Sequence, residues 1–123
     1  METEYKTNAK VCVTITNVDL NCSKNYVDET YRSCDVPISY EIITDYAGGS
    51  SLEVKIKCEA EIRYSSDGST KTNSDYKSDS HTLSRNSSDS ETAELSFSFS
   101  SYQEVTSVKV TDSSCKIEEV TLR

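Results

Sequence analysis

The chain has no tryptophan, one histidine, one proline and three glycines, and its strongly apolar residues are scarce. Val, Ile, Leu and Phe together make 24 of 123 positions, near the composition of about 20% below which chains tend to stay disordered. No apolar run approaches the roughly 18 residues that cross a bilayer as a helix. The segment from Met1 to Lys10 is polar and lacks the apolar centre of a secretory leader. The chain is thus either made without a leader or carries Met1 where one was removed. Lys and Arg do not cluster, which argues against a nucleic-acid footprint or a basic membrane-binding patch. No pair of cysteines is spaced C-x-x-C, so redox and zinc-ribbon motifs are excluded.

One histidine limits the chemistry. A Ser-His-Asp triad or a histidine-based zinc site would both have to use His81. It sits in a polar stretch from 65 to 92 in which Tyr76 and Leu83 are the only large apolar residues. That setting predicts an exposed histidine on a loop or edge strand. Asp67, Asp75, Asp79 and Asp89 punctuate the same stretch without the ligand spacing of a calcium loop, and read as solvated loop acids. The residues call for no metal, cofactor or catalytic group.

What is present is alternation. From Leu52 to Tyr64 apolar and charged residues alternate without a break for thirteen positions. Side chains on a strand point to opposite faces with period two, so this segment is a strand with one apolar and one charged face. Its length exceeds the usual strand and predicts a bend or bulge. Val11, Val13 and Ile15 keep the same period, as do Ile38, Tyr40 and Ile42, then Leu95, Phe97 and Phe99, then Val108 and Val110. Cys115 and Ile117 continue it, and a slip before Val120 predicts a bulge or turn. Residues 45 to 50 read as a loop, and Asp67-Gly68 as a hairpin turn, because glycine tolerates the positive φ such turns need. The stretch from 65 to 92 reads as one or two short edge strands with mobile loops. Six to eight mostly one-faced strands in a chain of this size predict one all-β domain over 1-123, an antiparallel two-sheet immunoglobulin-like sandwich.

The order of elements is similar to that of FxLYD- and CARDB-like immunoglobulin-fold modules of bacterial and archaeal surface proteins. The likeness covers residues 36 to 112. It is carried by Gly48-Gly49, the long strand ending in Tyr64, Asp67-Gly68, Ser90-Glu91-Thr92-Ala93 before Leu95 to Phe99, and the Val108 strand. It implies a surface-attached module without catalytic residues.

Five cysteines suit an oxidising compartment. Cys58 lies on the apolar face of the long strand and reads as a buried free thiol. Of the other four, Cys22 and Cys34 flank a polar segment that a bridge would close, and Cys12 and Cys115 would tie the first strand to the last. Four cysteines allow three pairings, which the sequence leaves open. Tyr40 and Tyr64 fall on apolar faces. Tyr26, Tyr31, Tyr46, Tyr76 and Tyr102 fall at strand ends or in loops and are candidates for a binding patch. The sequons at Asn21 and Asn86 are at chance frequency. The net charge of -8 is spread along the chain and chiefly favours solubility.

These features point to a non-catalytic, secreted or cell-surface module that binds a protein or glycan. The alternative is a small acidic inhibitor that blocks a basic site on a target inside the cell.

Overall fold

A computed structural model describes residues 2–6, 9–25, 30–46, 51–84, 87–99 and 104–122. In chain order the strands are β1 (Glu2–Lys6), β2 (Ala9–Val18), β3 (Asn21–Asn25), β4 (Thr30–Tyr46), β5 (Leu52–Ser66), β6 (Ser69–Leu83), β7 (Ser88–Ser98) and β8 (Val105–Leu122). Among the described residues no helix is long and apolar enough to cross a membrane.

The strands form two antiparallel sheets. In sheet A, β4 is paired along one edge by β2 and then β3, along the other by β7, and β1 lies outside β2. In sheet B, β5 runs between β6 and β8. The pairing of β4 with β7 in one sheet and of β5 with β8 in the other matches the B–E and C–F pairs of an immunoglobulin-like sandwich.

The break between β2 and β3 has a local cause. It falls opposite Val36 and Pro37, between the pairs Val18–Ile38 and Asn21–Asp35. Proline has no N–H to give a partner strand. Only its carbonyl is used here, accepting a hydrogen bond from the Asp19 N–H at 3.2 Å.

The long alternating segment is β5, and its burial alternates over all 15 residues. Leu52, Val54, Ile56, Cys58, Ala60, Ile62 and Tyr64 face the core, where they meet Val36, Ile38, Tyr40, Ile42, Leu95 and Phe97 of sheet A. The bulges expected within this strand lie instead on its neighbour. The register of β5 with β6 is unbroken, whereas its register with β8 shifts three times, so Thr106, Thr111 and Glu118 are extra residues on β8. Glu118 accounts for the slip in period between Ile117 and Val120.

Asp67 and Gly68 make the two-residue turn from β5 to β6, with φ of 51° and 80°. Positive φ at both central residues is the geometry that matches the twist of a hairpin. The strand that follows is one continuous run of 15 residues, where short strands with mobile loops were expected. Its ladder to β5 is made by the backbone, so it needs no apolar side chains, and most of β6 is exposed.

Two disulfides join directly opposed residues, Cys22 with Cys34 between β3 and β4, and Cys58 with Cys115 between β5 and β8. Cys58 is therefore not a free thiol, and Cys115 is not bonded to Cys12. The reason is the face each occupies. Cys115 shares the core face of sheet B with Cys58, whereas Cys12 alternates with the buried Val11 and Val13 and so points out of sheet A. Cys12 takes part in neither disulfide.

A Cβ on Gly68 would meet nothing within 4 Å, so Gly68→Ala isolates the cost of the positive φ. It should lower stability to urea by about 1 kcal/mol. By contrast Ile56→Ala, at a core position 1% exposed, should cost about 2–5 kcal/mol in the same measurement.

Candidate functional site

The sequence places His81 two residues before Leu83, so the two share a face of β6. That face turns inward at the end of the strand, beneath β7, and His81 is only 5% exposed. It does stand on an edge strand, but the expectation of an exposed histidine is wrong. The inward row Asp79, His81 and Leu83 packs into the sandwich while the row Ser78, Ser80 and Thr82 points out.

From this position the imidazole reaches across to the opposite sheet. Its Nε2 lies 2.8 Å from the hydroxyl of Tyr40 and 3.1 Å from Oε2 of Glu91, and its Nδ1 lies 2.8 Å from Oδ2 of Asp89. Tyr40 is 1% exposed, and its ring meets the imidazole edge-on at a centroid distance of 5.7 Å. Sheet A lines these partners up by register, since Tyr40 faces Glu91 and Ile42 faces Asp89 between β4 and β7.

The proton positions follow from the acceptors. An ionised carboxylate only accepts, so Nδ1–H donates to Asp89. With a neutral ring, the Tyr40 hydroxyl donates to Nε2. A second ring proton would instead let Nε2–H donate to Glu91. The phenol itself is held firmly protonated, its pKa pushed well up by burial first and then by the negative charges of Glu91, Asp79 and Asp89.

An Asp–His–hydroxyl line is also the arrangement that activates a serine nucleophile. Here the hydroxyl is a buried phenol that resists losing its proton. Its chemical effect is to clasp the two sheets together through a polar contact inside an apolar core. Asp79 adds one oxygen, Oδ2, that is buried without a hydrogen-bond partner.

Asp75 and Asp79 lie on β6 and Asp89 on β7, so of the four acids read as loop acids only Asp67 is in a loop. Among the described residues no group of three or more His, Cys, Asp or Glu side chains is arranged to hold a metal ion.

The candidate aromatics are dispersed. Tyr76 is 63% exposed on the outer face of sheet B, with the Lys57 ammonium 4.4 Å from its ring centre. Tyr31 belongs to sheet A and packs partly against the core, with Lys24 5.9 Å from its ring centre. Tyr26 and Tyr102 lie outside the described residues, as does the side chain of Tyr46. The link between His81 and Tyr40 was missed from the sequence. The available signal was the shared parity of His81 with Leu83 and of Tyr40 with Ile38 and Ile42.

Tyr40→Phe keeps the ring but leaves Nε2 without the hydroxyl, and should cost about 1–3 kcal/mol in urea unfolding at pH 7. The phenol also sets an alkaline limit. In the unfolded chain Tyr40 ionises at about pH 10, whereas in the fold it ionises at higher pH. The folded state therefore binds more protons above that pH, and stability present below it is lost as pH rises. The fall in stability above about pH 10 should be shallower in Tyr40→Phe than in the parent. Compared with known proteins, the chain matches no family model, no curated protein and no solved structure.

Proposed function

We propose that this chain is a non-catalytic interaction module of an oxidising compartment, secreted or held at a cell surface, that presents its strands and loops to a protein or glycan. The observation that carries this reading is the pair of disulfides, one in each sheet. Such bridges persist where thiols are not kept reduced. They also suit a domain with few apolar residues, since each typically contributes about 2–4 kcal/mol.

The state of His81 supports the non-catalytic part. The only imidazole in the chain is engaged on both nitrogens inside the core. The resemblance in layout to FxLYD- and CARDB-like surface modules points the same way. Tyr76 supplies an exposed aromatic ring on a face otherwise made of Ser, Thr and charged side chains, the kind of surface that stacks on sugars or packs against proteins.

One feature favours the acidic-inhibitor reading. Asp35, Glu41, Asp45 and Glu94 are exposed or partly exposed on the outward rows of sheet A, with Lys10 opposite Asp45. On that reading the chain works with reduced thiols, and its binding to a basic target weakens sharply as salt rises.

Mass spectrometry after alkylation separates the two. Of five cysteines, four lie in the two bridges. Folded protein from an oxidising host should take one label, on Cys12, and reduced, unfolded protein should take five. Five labels on the folded protein would refute the surface-module reading.

A further inference from the structure

The free edges of the two sheets are not alike. An unpaired edge offers backbone N–H and C=O groups to any passing strand, and proteins blunt it by shortness, by inward charges or by a covering group. β1 and β3 have five residues each. On β7 the Ser96 N–H donates to Oδ2 of Asp75, so a side chain of β6 covers that edge. β6 carries Asp75, Lys77 and Asp79 on its inward row. β8 has neither shortness, an inward charge nor a covering side chain; its protection is limited to three bulges, at Thr106, Thr111 and Glu118, and the exposed Lys109 and Lys116. It is 18 residues long, contains no proline, and buries Val105, Cys115 and Val120 on its inward row. Among the described residues it pairs only with β5. Its extra residues Thr111 and Glu118 leave a regular stretch from Asp112 to Ile117 between them. Beside that stretch, between β2 and β8, is an open cavity of about 290 Å³ that reaches Ser113 to Lys116. No described strand is hydrogen-bonded to this edge, although β2 faces it across the cavity and β1 lies close by.

The phase of the backbone is given by the Cys58–Cys115 pair. Their Cα atoms are 4.0 Å apart, the close spacing of an antiparallel pair that exchanges no backbone hydrogen bonds. The N–H and C=O of Cys115 therefore point away from β5, to the open edge, and with period two so do those of Ser113 and Ile117. A second β8 laid antiparallel must match such residues with each other. For a symmetric pair this puts the two-fold axis at Ser113, Ser114, Cys115 or Lys116, and the last sets Lys116 against its own copy, which leaves three.

Charge selects among the three. An axis at Cys115 sets Asp112 against the partner's Glu118. An axis at Ser113 matches Asp112 with the partner's Ser114 and joins no opposite charges. An axis at Ser114 sets Asp112 against the partner's Lys116 and Lys109 against the partner's Glu119, and symmetry repeats both contacts. Each of these four residues is exposed and lies on the outward face, opposite Glu61, Lys57, Arg63 and Lys55 of β5 respectively. The extra residues preserve the match. Thr111 lies between Lys109 and Asp112, and Glu118 between Lys116 and Glu119, so both strands slip by one in the same interval.

We propose that two copies of this chain join edge to edge through residues 112–116 of β8, continuing sheet B across a two-fold axis at Ser114. The contact is isologous. Ser113 and the partner's Cys115 exchange backbone hydrogen bonds, and four opposite-charge pairs flank them on the outer face.

Analytical ultracentrifugation tests this. The parent chain should show a reversible monomer–dimer equilibrium. Lys116→Glu places like charges opposite each other twice, and should weaken the dimer about tenfold. Adding Asp112→Lys to that variant should restore the parent affinity. Ser113→Pro removes an N–H that β5 does not use, and should give a folded monomer. If that variant does not fold, the charge reversals alone decide. A parent chain that stays monomeric to about 1 mM, or a double variant no tighter than Lys116→Glu, would overturn the proposal.

Discussion

Each of the 15 residues of β5 faces a partner in β6, and the strand is paired along its other edge by β8. On this doubly paired strand every second side chain is buried, and all of these but Ser66 are apolar. The rest of the sandwich depends on that arrangement. A chain with so few large apolar residues cannot scatter them, and β5 gathers seven buried apolar positions on one face, with buried Ser66 as the eighth. The backbone ladder then recruits strands that have little apolar content of their own. β6 is the extreme case, a long strand held by its hydrogen bonds to β5 and exposed over most of its length.

The polar interior is economical in the same way. A buried donor or acceptor without a partner costs about 1–3 kcal/mol, so a buried histidine must find partners. His81 finds them on the opposite sheet, in Tyr40, Asp89 and Glu91. A non-directional apolar contact would tolerate a small slide of one sheet over the other, whereas this clasp does not. The disulfides act in a different direction. Both join neighbouring strands of one sheet, so they hold register within the sheets, while the core and the His81 clasp hold the sheets to each other. The B–F bridge between sheets found in antibody domains has no counterpart between the corresponding β4 and β8.

The edges show how far a β-sandwich can go in leaving strands open. Acidic and basic side chains turned inward on β6, a carboxylate over the edge of β7 and the shortness of β1 and β3 all discourage further pairing. Among the described strands only β8 combines length and an apolar inward row with an outer edge that no strand pairs, interrupted by its three bulges. In an immunoglobulin-like arrangement β8 occupies the place of strand F, whose outer neighbour in such domains is strand G. No described strand of this chain takes that position.

Much of the fold was legible because side-chain alternation is a local property of a strand. The sequence alone determined which residues of β2, β4, β5 and β7 face inward, that Asp67-Gly68 turns, and that the period slips after Ile117. It also held a clue that was not used. Parity puts Cys58 and Cys115 on core faces and Cys12 on an outer one, which rules against a bond between Cys12 and Cys115. What parity cannot supply is register and stacking. Cys58 meets Cys115 only because β5 and β8, 57 residues apart at that point, pair in one register. His81 meets Tyr40, 41 residues away, only because one sheet lies over the other. Those decisions rest on the packing of the whole core against the whole set of backbone ladders, and only the tertiary structure makes them.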